Sequence, residues 1–169
     1  MSKKIHIKLK EGSFWSRAAG VMMDNKRRVM LCRLDDEDVW VLPGGTIRCY
    51  ETSKETIMRE FLEETGLEIE VQRLLGVIEN FFVFKDKKCH DIGFYYLVSP
   101  KEANHFCDQE VFIGQEERHT QDRSWKLIFK WFDSFNLENI NLKPSILKKL
   151  LKELPDDPVH FIHHVEAVS

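Results

Sequence analysis

The sequence predicts an α+β fold in which a mixed β-sheet is sandwiched between helices. Two observations predict it. Most apolar segments are short and rich in Val, Ile and aromatic residues, as strands are. Two stretches, 52–66 and 145–154, instead repeat apolar residues at helical spacing, and they lie far apart in the chain. At 169 residues we expect one domain over 1–169, with its core at about 18–154 and further strands at both ends.

Composition narrows the function classes. Hydrophobic residues make up 43% and charged residues 31%, ordinary for a globular protein. The net charge of −3 gives no overall basic field to attract nucleic acid or an anionic membrane, although the runs Lys26-Arg27-Arg28 and Lys85 to Lys88 are locally basic. No apolar run approaches the ~18 residues of a membrane span. Cys32, Cys49, Cys89 and Cys107 form no CxxC pair and no secretory signal precedes them, so reduced thiols in a cytoplasmic protein are expected.

Ile5, Ile7 and Leu9 alternate from Lys3 to Leu9, which predicts a half-buried strand. Gly12 to Trp15 reads as a turn into the apolar run Ala18 to Met23. Asp24-Asn25-Lys26-Arg27 separates that run from Val29-Met30-Leu31-Cys32, which predicts a hairpin. Asp35 to Asp38 lacks calcium-loop spacing and reads as a solvated turn. A strand at Val39 to Leu42 then leads into the loop Pro43-Gly44-Gly45, where the backbone can approach a ligand closely.

The first helix has a marked start and stop. Thr52 and Glu55 form a capping box, and Gly66 tolerates the left-handed conformation that ends a helix. Ile57, Met58, Phe61, Leu62 and Thr65 form its core-facing stripe. Leu67 to Phe84 reads as one long or bent strand, turned at Asp86-Lys87-Lys88 and returning over Ile92 to Val98. The segment 100–123 is polar and irregular, and loops of that length tend to be functional. Leu127 to Phe132 is a strand, Ser145 to Leu154 a helix ended by Pro155, and Val159 to Val165 a terminal strand.

The chemistry concentrates on the first helix. Glu60, Glu63 and Glu64 stand at i, i+3 and i+4, so they share a narrow arc of one face. Like charges at that spacing weaken a helix by a few tenths of a kcal/mol per pair. Arg59 alone is not expected to neutralise all three. A divalent cation is the natural counter-charge, and hard oxygen ligands suit Mg²⁺ or Mn²⁺. Gly45 can add its carbonyl as a further oxygen ligand. An arbitrary acidic helix face is most often solvated surface; the flanking glycines, Glu51 and Arg59 reverse that reading.

From Gly45 to Leu67 the sequence resembles the Nudix box, G-x5-E-x7-R-E-U-x-E-E-x-G-U, with U a bulky aliphatic. Gly45, Glu51, Arg59, Glu60, Phe61, Glu63, Glu64, Gly66 and Leu67 fall on its fixed positions, and Phe61 stands where an aliphatic is usual. The resemblance implies the α/β/α sandwich of the Nudix fold and a small nucleotide as partner. The implied activity is Mg²⁺-dependent hydrolysis of a nucleoside diphosphate linked to another moiety. It further implies Glu60, Glu63, Glu64 and the Gly45 carbonyl as metal ligands, with one of the glutamates, Glu63 or Glu60, holding the attacking water. Arg59 and Glu51 would pair and orient the ligating carboxylates. The family often recruits another acid from outside the box, for which Glu110, Glu116, Glu117 and Asp122 are candidates.

The substrate is less well marked. ADP-ribose enzymes of the family often place a proline a little over a dozen residues past the box, and here the first proline after Gly66 is Pro100. Two other readings stand beside a small-nucleotide pyrophosphohydrolase: an RNA 5′-end pyrophosphohydrolase, which needs a basic groove beside the box, and a nucleotide-sensing module without turnover. A homodimer is expected only because many relatives form one. Trp15, Trp40, Phe81, Phe82 and Trp125 are candidates for stacking on a base, each more often a core residue. His90-Asp91 is a candidate by position alone. His160, His163 and His164 read as surface histidines of a terminal strand, with His163 and His164 on opposite faces.

Overall fold

The computed structural model describes residues 3–84, 86–102, 110–119 and 124–165, and the side chains of 115–119 and 124 are left aside. Strand β2 (Gly12–Met22) is the spine of the larger sheet. It pairs antiparallel with β1 (His6–Lys8) and β4 (Gly44–Thr46), and parallel with β6 (Lys87–Pro100). β6 pairs antiparallel with β5 (Ile69–Phe84), and β5 pairs parallel with β9 (Val159–His164). A second, antiparallel sheet runs in the order β3 (Arg28–Leu34), β8 (Ser124–Asp133), β7 (Val111–His119). The mixed sheet and sparse helices are the expected α+β Nudix-type arrangement.

Alternation along β2 separates the two cores. Ala18 and Met22 pack with Ile57 and Phe61 of helix α1 (Ser53–Thr65), together with Phe112, Leu127 and Phe129 of the second sheet. Ala19 and Val21, pointing the other way, pack with Leu147, Leu150 and Leu151 of helix α2 (Leu147–Glu153). The helices thus cover opposite sides of β2. Among the described residues no helix is long and apolar enough to cross a membrane.

Several local expectations are corrected. The residues Gly12 to Trp15 open β2 rather than turn into it. β1 is short and sits at a sheet edge, so alternation sets its register without burial: Ile7 is 51% and Leu9 63% exposed. The chain does turn at Asp24, whose carboxylate accepts from the Lys26 and Arg28 amides, but β2 and β3 form no hairpin. Both edges of β2 are already taken, and β3 joins the other sheet with a single bridge, Met23 to Val29, left behind. Val39 to Leu42 makes only isolated bridges to Cys32 and Leu142; strand pairing starts at the glycines. Inside 100–123 lies β7, which the polar run Gln115 to Arg118 concealed.

The correction that matters for the site concerns α1. Met58 and Leu62 are exposed, at 42% and 51%, while Glu60 and Glu64 are buried beside Ile57 and Phe61. The buried arc is therefore rotated towards the carboxylates. Gly20 of β2 sets how closely the helix approaches, since a Cβ there would lie 2.5 Å from Phe61 Cε2 and 3.2 Å from Ile57 Cγ1. We expect Gly20→Val to destabilise the protein by about 1–3 kcal/mol through overpacking, read as a lower urea midpoint. An unchanged midpoint would show that α1 does not bear on β2 at this point.

Candidate active site

The acidic helix is anchored at both ends. The Thr52 hydroxyl accepts from the Glu55 amide at 3.2 Å and Glu55 accepts from the Thr52 amide at 2.8 Å; Gly66 closes the helix at φ 76°. Between these caps, α1 turns its carboxylates towards β4. Gly44 N–H donates to Glu64 Oε2 at 3.2 Å. At Gly45 a Cβ would fall 2.3 Å from Glu60 Oε1 and 2.6 Å from Oε2, so any larger residue would force that carboxylate to shift. Glu60 and Glu64 are 5% and 1% exposed, and buried charges need partners of this kind.

Arg59 supplies the one for Glu60 and engages two further carboxylates, more than the sequence reading assigned to it. Its Nε and Nη2 grip Glu51 at 2.6 and 3.0 Å, and its Nη1 reaches Glu60 at 2.6 Å and Glu63 at 2.9 Å. Glu51 also accepts from the Arg48 amide at 3.0 Å and the Thr56 hydroxyl at 2.9 Å. The Arg59 guanidinium, foremost, pulls the Glu51 carboxyl from 4.5 down to about 2, against the opposing effect of burial. Arg59 is in turn held charged even more firmly than an ordinary arginine, chiefly by its bonds to Glu51.

Glu63 differs from its neighbours. Its side chain is 40% exposed and held between Arg59 and Arg48, with Arg48 Nη2 3.5 Å from Oε1. All three glutamates nevertheless line one cleft of about 600 Å³, floored by Gly44 and Gly45. Its chemistry fits a hard divalent cation: carboxylate oxygens and a backbone carbonyl, at a glycine cradle that any Cβ would fill. Among the described residues no three His, Cys, Asp or Glu side chains are already gathered into a cage, and Glu63 is paired with Arg59 and Arg48.

The other candidates scatter. Glu110 is exposed and does not line the cleft. Glu117 is placed on β7 by its register with Lys126, but the side chains of Glu116 and Glu117, and Asp122 altogether, lie outside the described residues, as does Cys107. Of the aromatics only Trp15 lines the cleft; Trp40 packs on Phe132, Trp125 donates to Asp36, and Phe82 packs edge-on against Trp15. Phe81 is stacked between His90 and His164. Asp91 is buried and bonded to Asn80, its carboxyl pushed above the usual range by burial. His163 bridges Asn80 and Ser145, and His160 meets Glu79. The basic run at 26–28 is engaged elsewhere, with Arg28 on Asp24 and Arg27 over Phe135. Sequence reasoning missed Lys4, Arg17 and the Arg48 side chain, which line the cleft only because strand register brings them there.

Comparison with known proteins agrees with this geometry. A profile of the NUDIX domain matches residues 15–132. The chain belongs to the Nudix family. It is 24% identical over 133 residues to an uncharacterized Nudix hydrolase of Bacillus subtilis, covering 79% of this chain and 75% of that one. A MutT-like protein of Streptomyces ambofaciens is 40% identical over 62 residues, 37% of this chain, and the match spans only 40% of that protein's length. An RNA pyrophosphohydrolase of Pseudoalteromonas atlantica is 23% identical, with 79% of each chain covered. Among solved structures, an ADP-ribose pyrophosphatase from Streptococcus suis superposes with a TM-score of 0.57 at 15% identity, covering 87% of this chain and 98% of that one, which speaks for the fold alone. The expectation of a Nudix-type hydrolase is borne out at the level of the family.

The depressed Glu51 pKa makes a signed prediction. A carboxylate that ionises more easily when folded stabilises the protein above its unfolded pKa of about 4.5, and that contribution is lost as pH falls towards about 2. We expect on the order of 2–3 kcal/mol of acid-dependent stability from this group. Urea midpoints between pH 5 and pH 2 should therefore fall less steeply for Glu51→Gln than for wild type. Parallel curves would remove Glu51 as the source.

Proposed function

We propose that this protein is a Mg²⁺-dependent pyrophosphohydrolase that cleaves a phosphoanhydride bond in a nucleoside diphosphate linked to another moiety. The observation that carries the reading is the burial of Glu60 and Glu64 against the Gly44–Gly45 backbone at the floor of an open cleft. Glu60, Glu63, Glu64 and the Gly45 carbonyl would hold Mg²⁺ or Mn²⁺. Bound there, the ion supplies charge neutralisation on the phosphate oxygens and a more acidic water.

The chain's own residues divide the remaining work. Arg59 and Glu51 lock each other bidentately, and this keeps Glu60 in its place against Gly45. Glu63, the most exposed of the three, would accept the proton of the attacking water on a carboxylate oxygen. Arg48 beside it orients that carboxylate. A single domain over 1–169 in the cytoplasm, with a homodimer by analogy only, completes the reading. The match to an RNA pyrophosphohydrolase over most of both chains supports a second reading, with a triphosphorylated RNA 5′ end as substrate.

A screen of nucleotides and triphosphorylated RNA with Mg²⁺, scored for released phosphate products, tests both. We expect turnover that EDTA abolishes, and a fall of at least ~100-fold in Glu63→Gln with unchanged far-UV circular dichroism. Binding without products would contradict hydrolysis, and a wild-type rate in Glu63→Gln would take that glutamate out of the chemistry.

A further inference from the structure

Beside α2, on the side of β2 away from the acidic helix, lies a second hollow of about 560 Å³. Lys148, Lys149 and Lys152 of α2 line it together with Ser145 and His163. The lysines stand at i, i+1 and i+4, and like charges at i, i+4 weaken a helix, here one of only seven residues. Lys148 donates to the Glu138 carbonyl at 2.7 Å and Lys149 lies over the Phe161 ring at 5.4 Å, both uncharged partners. A fourth cation, Lys143, faces His163. Among the described residues no ion pair joins any of these four lysines to a carboxylate, although Glu138 and Glu153 also line the hollow. In a chain of net charge −3 such a group of unanswered cations calls for an anion.

His163 is fixed there from the interior. Asp91 is 4% and Asn80 7% exposed, and Asn80 Nδ2 donates to Asp91 Oδ2 at 3.0 Å. This leaves Asn80 Oδ1 to accept from His163 Nδ1–H at 2.8 Å. The nitrogen free to gain a proton is therefore Nε2, which meets Ser145 Oγ at 3.0 Å beside the lysines. Burial, then Lys143 and His164, hold the imidazole below the ordinary histidine pKa, while Asp91 draws it upward. When Nε2 is protonated it stops accepting from Ser145, and that hydroxyl is released to donate elsewhere.

We propose that this hollow binds a doubly charged oxyanion, the phosphate group of a small solute, between the lysines of α2 and the Ser145–His163 pair. The site stands apart from the cleft and does not depend on what the cleft hydrolyses. The ammonium groups supply charge, and the Ser145 hydroxyl and His163 Nε2–H supply directed donors. Every charged group facing His163 enters the balance. Lys143 and the three lysines of α2 favour the anion, Glu138 and Glu153 oppose it, and Asp91 and His164 act on the imidazole itself. Four lysines against two rim carboxylates leave the hollow positive before His163 is charged. An anion bound there offsets the repulsion from Lys143 and so favours protonated His163. By reciprocity, the protonated protein binds the anion more tightly.

The test follows the histidine imidazole resonances of the full, metal-free chain in sodium sulfate and in sodium chloride at matched ionic strength. Sulfate stays doubly charged over about pH 5.5–7.5, where histidine changes charge, so any pH dependence of its binding belongs to the protein. We expect sulfate to raise the His163 titration midpoint and to bind about five-fold more tightly at the acid end. Inorganic phosphate should compete with it. Lys148→Gln combined with Lys152→Gln should weaken sulfate about ten-fold. His163→Gln should keep its far-UV circular dichroism and lose the pH dependence. Chloride acting as well as sulfate, or a pH dependence that persists in His163→Gln, would overturn the site. So would capture by anionic lipid vesicles without any response to free sulfate, which would make the hollow a membrane contact. None of these readouts involves hydrolysis, so each outcome leaves the proposed activity untouched.

Discussion

Everything at this site depends on how a helix with three carboxylates on one face can be packed against a sheet. Two of the three are buried, and isolated buried carboxylates cost several kcal/mol each unless paired. The structure answers them from two directions. From below, two consecutive glycines let strand backbone lie directly against Glu60 and Glu64, with an amide donated to the latter. From the side, one arginine spreads its guanidinium over Glu51, Glu60 and Glu63. The two devices act together: a side chain at position 45 would displace the Glu60 carboxylate, and without Arg59 that carboxylate would lose its guanidinium partner.

The charged residues of the cleft come from two kinds of structure. The acidic wall belongs to a helix, where spacing of three and four residues gathers side chains within one short stretch. Several basic residues belong to extended chain, where neighbours in space are distant in sequence, with Lys4 opposite Arg48 and Arg17 opposite Thr46. The second sheet closes the cleft through Cys32, Arg33 and Leu34 of β3 and Leu127 of β8.

This difference also explains what could be read from the sequence. The helix, its caps, Glu51, Arg59 and the glycine turn lie within 23 residues, and their geometry follows from local periodicity. Strand positions at Leu67 to Phe84, Ile92 to Val98 and Val159 to Val165 were equally readable, because apolar runs mark them. What escaped was pairing. Asp24 to Arg27 turns the chain as a hairpin would, but no local signal says that β2 is already flanked by β4 and β6. β7 was hidden because its polar stretch lacks strand-like alternation, and the packing of α1, which seats Ile57 and Phe61 on Gly20 of another strand and leaves Met58 and Leu62 exposed, is not local information. Lys4 and Arg17 were invisible as site residues for the same reason.

The central claim is that glycine at position 45 allows backbone and carboxylates to share one cation. Mn²⁺ binding followed by electron paramagnetic resonance, wild type against Gly45→Ala, tests it most directly, with circular dichroism to confirm that the variant is folded. A methyl group placed 2.3 Å from Glu60 Oε1 must push that carboxylate away, so the account predicts Mn²⁺ affinity at least ~10-fold weaker in the variant. Equal affinity in a folded Gly45→Ala protein would contradict it.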